Sequence, residues 1–398
     1  MRHARMNDTK TWGSSLVVAL LLAACGGGDP DVPGSGSPAG APTTKGAFTA
    51  VVSFGDSLSD VGTYAPATSL AGTGAPPYFG GKFTTNGAAG TVWVENLATA
   101  LGIAVTPAEV GFGSSSVKCP AAAAPALAGT CTGYGQGGSR VTEPNGIGHA
   151  GGALTVPVVT QIANHLSRFT SFKPSDLVFV YAGSNDVFTQ FGAFTATATQ
   201  IQTDAAAGKI TADQANAALF DAQTAAQNGM KLAAQTLAGY VRERILANGG
   251  KYVAVMTLSD IADTPFGNSL PANVRPVLTD LSRIFNLWLR DGLTNQPVQL
   301  IDTFTLFKEA YGNPAKYGIA NNAVPACDAA KISAITRGAV TDGSSLFCNG
   351  TPGAPYNGLR TGADVTTWQF ADGVHPTTGG HKVIGDSFAA QLKSFGWI

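Results

Sequence analysis

Four apolar runs constrain this chain's fold more than any other feature: "FTAVVSF" (48–54), "DLVFVYAG" (176–183), "KYVAVMTL" (251–258) and "VQLID" (298–302). A half-exposed strand alternates apolar and polar residues, because successive side chains point to opposite faces. These runs are rich in β-branched residues, do not alternate, and end in polar turns. Such strands are covered on both faces, as in a parallel sheet held between layers of helix. A weaker run, "GIAVTP" (102–107), predicts one further strand.

The segments between the runs supply the cover. "TVWVENLATALG" (91–102) spaces its apolar residues by three and four and closes on Gly; "VVTQIANHLSRF" (158–169) behaves the same way. The Ala- and Gln-rich stretch 210–246 also reads as helix. Strands alternating with helices imply a layered α/β domain with right-handed crossovers. In open parallel sheets, ligands sit outside the carboxyl ends of the strands. Chemistry is therefore sought at Asp56 and Ser57, Asn185 and Asp186, Asp260, and Asp302, the polar residues that follow the runs.

Charge excludes whole classes of partner. Only 12% of the 398 residues are charged, against about 25% in typical soluble domains, and the net charge is −1. Nucleic acid demands a basic face, so nucleic-acid binding is not expected. No Lys/Arg cluster suggests a peripheral membrane patch. The apolar fraction of 44% suffices for a sizeable core.

The N-terminus reads as an export signal. Arg2, Arg5 and Lys10 precede "GSSLVVALLLAAC", whose apolar run is far shorter than the roughly 20 residues of a membrane span. "LAAC" resembles the lipobox of bacterial lipoproteins, in which the Cys, here Cys25, becomes the lipidated first residue. Residues 1–24 are then the signal peptide. Gly26 after the Cys suggests the outer membrane or cell surface of a Gram-negative bacterium, with the protein held by acyl chains. An ordinary signal peptide with a chance Cys is the alternative. Residues 25–46 are rich in Gly, Pro and Ser and read as a flexible tether, so the folded domain spans 47–398. No second linker interrupts that span; the Gly-, Ala- and Ser-rich stretch 108–155 reads as a loop insertion.

Four cysteines remain, Cys119, Cys131, Cys327 and Cys348, which allow three pairings in an exported chain. The sequence-local pairs Cys119–Cys131 and Cys327–Cys348 are favoured as staples on surface excursions. Without CxxC spacing or a nearby His, a zinc site is not expected.

Several motifs are excluded. "GYGQGG" (133–138) and "GIGHAG" (146–151) match GxGxxG, but neither follows a strand, so no nicotinamide site is assigned. The chain has no GxxxxGK[ST], no HExxH and no GxSxG nucleophile elbow. No metal or organic cofactor is expected.

One constellation remains. His375 follows Asp372 by three residues in "FADGVHPT" (370–377), a spacing that lets both side chains face the same way. A carboxylate beside imidazole fixes its tautomer and stabilises the imidazolium. Ser57 alone would read as a helix N-cap, and Asp372–His375 alone as a solvated turn. A Ser hydroxyl becomes a nucleophile only when a base takes its proton. Ser57, Asn185, Asp372 and His375 together supply the parts.

"FGDSLSD" with Ser57, "YGQGGSRV" with Gly138, "GSND" with Asn185 and "DGVHPT" with Asp372 and His375 resemble the ordered blocks of the SGNH (GDSL) hydrolase/esterase family. "GKFTTNG" and "TVWVENLA" (81–98), "TLSDIADTP" (257–265), "NPAKYGIANN" (313–322) and "WQFADGVHPTTGGH" (368–381) are similar to its bacterial secreted members, so the resemblance spans 47–398. Two positions depart from the family pattern: Thr63 stands where Asn is usual and Gly135 where Ala is common.

The resemblance implies a flavodoxin-like three-layer α/β/α sandwich and ester hydrolysis through an acyl-serine. Ser57 would be the nucleophile, His375 the base and Asp372 its orienting group. The Ser57 and Gly138 N–H groups and the Asn185 amide would form the oxyanion hole, with Gly137 as the alternative glycine. The expected substrate is a lipid or short-chain acyl ester. Removal of acetyl groups from polysaccharide, acyl transfer to another alcohol, and a non-catalytic lipid-anchored binding protein are the alternatives. Tyr64, Tyr78, Phe79, Phe83 and Trp368 are candidates to line an acyl pocket.

Overall fold

The computed structural model describes residues 34–68, 80–351 and 353–398; the signal segment, Cys25, Tyr78 and Phe79 lie outside the described residues. Among the described residues there are six strands: β1 (Ala50–Gly55), β2 (Glu109–Phe112), β3 (Ser115–Lys118), β4 (Asp176–Tyr181), β5 (Tyr252–Met256) and β6 (Gln299–Ile301). The four apolar runs become β1, β4, β5 and β6, which form one parallel sheet in the order β1-β4-β5-β6. Strands β2 and β3 form an antiparallel hairpin inside the Gly-rich insertion.

The main helices are α1 (Trp93–Ala100), α2 (Val158–Phe169), α3 (Ser184–Ala206), α4 (Ala212–Tyr240), α5 (Arg275–Gly292), α6 (Thr303–Gly312) and α7 (Thr378–Ser394). Register shows how they cover the sheet. Ser53 pairs with Phe179 and Phe54 with Val180. Phe179 and Tyr181 therefore share one face and Phe54 points to the other. On the first face Trp93 of α1 meets Phe179 edge-on at 5.3 Å, and Phe388 of α7 packs on Trp93 at 4.9 Å. On the second, Phe54 meets His165 of α2 at 5.9 Å and Phe172 at 6.1 Å. Both layers are buried, and truncating an aromatic such as Trp93, fully buried, costs about 3–5 kcal/mol in such cores. The architecture is the expected α/β sandwich with a central parallel sheet.

Three details depart from the sequence reading. The run 102–107 forms no strand: Gly133 makes single parallel bridges to Ser53 and Pro107, the latter through Gly133 N–H to Thr106 O and Ala108 N–H to Gly133 O. Helix α4 starts at a Thr211–Gln214 capping box and passes at Val241 into a π turn, so 210–246 is not one uniform helix. The third departure concerns residues 39–46, expected to be free tether. Ala39 N–H bonds Gln296 O, the Trp397 indole donates to Pro42 O, and Gly46 N–H bonds Trp397 O. With little to bury, the segment is held by hydrogen bonds to its backbone instead, from side chains as well as main chain.

Both sequence-local cysteine pairs are disulfides, Cys119–Cys131 and Cys327–Cys348. Among the described residues no helix is long and apolar enough to cross a membrane.

Candidate active site

Ser57 opens a single 3-10 turn directly after β1, and Asp56 caps that turn by accepting the Leu58 N–H at 3.1 Å. The hydroxyl therefore stands at the carboxyl end of β1, on the side of the sheet where open parallel sheets place their ligands. At the far end of the chain, Asp372 Oδ1 accepts the N–H groups of Val374 and His375 at 2.9 and 2.8 Å. This tight turn brings the imidazole back onto its own carboxylate, with His375 Nδ1 lying 2.8 Å from Asp372 Oδ2. The Ser345 N–H adds a further donor to Oδ2 at 2.8 Å.

His375 Nε2 lies 2.9 Å from Ser57 Oγ, across 318 residues of sequence. An ionised carboxylate only accepts, so Nδ1 carries the proton and Nε2 offers its lone pair to the Ser57 hydroxyl. Burial alone would raise the Asp372 carboxyl, but the imidazole and the N–H donors hold it well below the usual carboxylate range. Burial likewise works to lower His375, yet the Asp372 carboxylate outweighs it and holds the imidazole above its ordinary value. The arrangement can take a proton from Ser57 and keep the resulting imidazolium paired.

Gly138 lies on the loop beside this row. Its φ is +80°, and a Cβ there would come within 2.0 Å of Ile147 O, so no side chain fits. Asn185, at the start of α3, is buried and its Nδ2 donates to Ser139 O at 2.8 Å. Asp186 holds the same loop through Arg140 Nε at 3.0 Å and Val141 N–H at 3.1 Å. The Gly137 N–H is occupied by Asp60 Oδ2 at 2.9 Å, which leaves the neighbouring Gly138 N–H as the glycine donor to consider.

The other strand-end acids serve elsewhere. Asp260 caps a 3-10 turn and pairs with Lys308 at 2.8 Å; Asp302 caps α6. Of the aromatic candidates, Phe83 lies with its ring 4.8 Å from that of His375. Tyr64 is buried behind it and donates to Gly137 O at 2.7 Å. Trp368 is half-buried, its backbone bridging to Asn321.

The model of the GDSL-like lipase/acylhydrolase family matches residues 51–388. The chain belongs to this family. A comparison with curated proteins finds no match. The match encloses every residue of the Ser57–His375–Asp372 row and of the loop around Gly138. In this GDSL-like acylhydrolase two supporting groups escaped the sequence reading. Asp60 was read only as part of a motif, although a carboxylate is notable in so weakly charged a chain. Ser345 contributes a backbone N–H, which no residue type advertises.

Proposed function

We propose that the protein hydrolyses carboxylic acyl esters through an acyl-serine intermediate on Ser57. The observation that carries this reading is the unbroken contact row Ser57 Oγ–His375 Nε2 at 2.9 Å and His375 Nδ1–Asp372 Oδ2 at 2.8 Å. As Oγ bonds to the ester carbonyl carbon, its proton passes to Nε2, and Asp372 stabilises the imidazolium. The oxyanion accepts N–H groups from Ser57, Gly138 and Asn185. An amide nitrogen has two hydrogens; the one that Asn185 gives to Ser139 O aims the other. Each such donor is worth about 3 kcal/mol in the transition state. Collapse breaks the bond to the alcohol oxygen, which leaves with the proton from Nε2. Water then gives a proton to Nε2 and attacks the acyl carbon; the bond to Oγ breaks, Oγ takes the proton back from Nε2, and the acid and free Ser57 are released.

The test is release of p-nitrophenol from esters of graded chain length. Ser57→Ala and His375→Ala should each remove nearly all turnover. Asn185→Ala should leave a remnant, about a hundredfold below the parent. Full turnover in Ser57→Ala, or no release at any length by the parent, refutes the assignment. Activity confined to acetyl esters would point instead to deacetylation of polysaccharide.

The same reading places the enzyme outside the cytoplasm, lipid-anchored at Cys25; its support is the short apolar run that ends in "LAAC" (22–25). Metabolic labelling with a fatty-acid analogue should mark the parent and not Cys25→Ala. Equal labelling of both removes the anchor.

A further inference from the structure

Behind the nucleophile, one side chain touches both segments that the proposed reaction must hold in register. Gln161 of α2 is fully buried. Its Oε1 accepts the Gly55 N–H at 2.9 Å, and its Nε2 donates to Gly55 O at 2.8 Å. The amide thus pairs with both backbone groups of the last residue of β1, two positions before Ser57. The second Nε2 hydrogen reaches Val156 O at 2.8 Å.

Val156 closes the loop that carries Gly138. Its carbonyl also accepts from Ser139 Oγ at 2.8 Å, and its N–H donates to Gln136 Oε1 at 2.9 Å. Both Nε2 hydrogens of Gln161 are therefore used and its Oε1 accepts a bond, an acceptor and two donors on one side-chain amide. Gln136 and Gln161 both line a cavity of about 390 Å³. A space of that size, with Glu109, Lys118 and Arg168 in its lining, admits water, so Val156, which also lines it, can be solvated when the amide is removed, and the fold can survive its loss.

We propose that Gln161 is a positioning residue, setting the Ser57 turn against the Gly138–Ser139 loop so that nucleophile and oxyanion donors meet one carbonyl. The inference rests on the acyl-serine reading, and its test separates the two. Gln161→Met removes the amide at nearly constant volume. Gln161→Glu at neutral pH presents a carboxylate that accepts but cannot donate. When protonated, that side chain again offers one O–H and one C=O to Gly55.

Steady-state turnover of p-nitrophenyl esters is measured for the parent and both variants, alongside reaction with a p-nitrophenyl phosphonate. In the latter, Ser57 Oγ bonds to phosphorus and p-nitrophenolate is expelled. Small misplacements of reacting groups cost up to about a hundredfold. In Gln161→Met, kcat and the phosphonylation rate should fall together by roughly ten- to a hundredfold, with KM close to the parent's. In Gln161→Glu, kcat relative to the parent at the same pH should recover as the pH is lowered, and Gln161→Met should show no such recovery.

Parent-like kcat and phosphonylation in both variants overturn the proposal. So does a loss of activity that merely follows loss of helical circular dichroism, without recovery of Gln161→Glu in acid. A parent that is not phosphonylated at Ser57 overturns the acyl-serine reading itself.

Discussion

Asp60 grips Gly137 from 77 positions away: its Oδ2 accepts the Gly137 N–H at 2.9 Å, and its Oδ1 accepts those of Gly62 and Thr63 at 2.9 and 2.7 Å. One buried carboxylate therefore joins the turn after Ser57 to the loop that carries Gly138. Asp60→Asn keeps the shape but turns an N–H toward one of these donors. A buried N–H left without an acceptor costs about 1–3 kcal/mol. The expected result is a lower kcat with KM near the parent's value, read from steady-state kinetics.

The stability of Asp60→Asn should also depend on pH with a definite sign. Burial outweighs the three donors and raises Asp60 from 3.8 to about 6. The folded state thus holds this proton more tightly than the unfolded chain does. That contribution is fully present below about pH 3.8 and is lost as pH rises through about 6. The variant has no such titration. Its stability deficit should shrink between those limits and stay constant above them, as measured by denaturant unfolding at several pH values.

The rate profile should report the His375–Asp372 pair. The proposed mechanism needs neutral His375, and the carboxylate holds its imidazole above the ordinary 6.5. Accordingly kcat/KM should rise with pH through an acid limb centred above that value. Asp372→Asn removes the charge that favours the imidazolium, so the limb should move to lower pH. The loss of tautomer control should cut kcat by about ten-thousandfold. A limb that stays in place would show that another group controls it.

The strands and the cluster of candidate site residues were legible because their causes are local. A strand covered on both faces must be continuously apolar, and Ser57, Asn185 and Asp372 with His375 lie where such strands end or in compact turns. The groups that hold the site in shape were not legible. Gln161 reads as one polar residue in an amphipathic helix, yet its partner Gly55 is 106 positions away. Ser345 acts through its N–H on Asp372, 27 positions on, and any residue there would carry the same donor. Such pairs arise from the packing of distant segments, which no periodicity encodes. The run 102–107 worked the other way: its β-branched residues suggest a strand, yet it pairs through a single bridge at Pro107.

The Cys327–Cys348 disulfide closes the segment that supplies Ser345, with a sequence separation of 21. A loop of that length is worth about 3 kcal/mol in the chain-entropy description. Replacing both cysteines by Ala should lower stability by that order and reduce kcat, because the Ser345 N–H would no longer be held against Asp372. The Cys119–Cys131 bridge lies by the β2–β3 hairpin and closes a separation of 12. Its removal should lower stability with a smaller effect on kcat. Unfolding midpoints and kcat measured for both double variants would separate the two staples, and equal kcat losses would contradict the assigned role of Ser345.

Phe83 should set acyl-chain preference. Its ring lies 4.8 Å from His375 and 5.9 Å from Tyr64. A Cβ on Gly137 would come within 2.0 Å of it, so the ring is wedged between the base and the oxyanion-side loop. Its backbone is fixed as well, because Phe83 O faces His381 Nε2 at 3.2 Å. On the proposed mechanism, a carbonyl bonded to Ser57 Oγ would place one of its substituents beside this half-buried ring. Each methylene that a pocket accepts or rejects changes kcat/KM by about ten- to two-hundredfold. Phe83→Ala should therefore shift kcat/KM toward longer acyl chains in the graded p-nitrophenyl ester series, and Phe83→Trp should shift it toward shorter ones. Unchanged profiles in both variants would mean that the ring does not border the bound ester, and that chain length is read on another wall of the site.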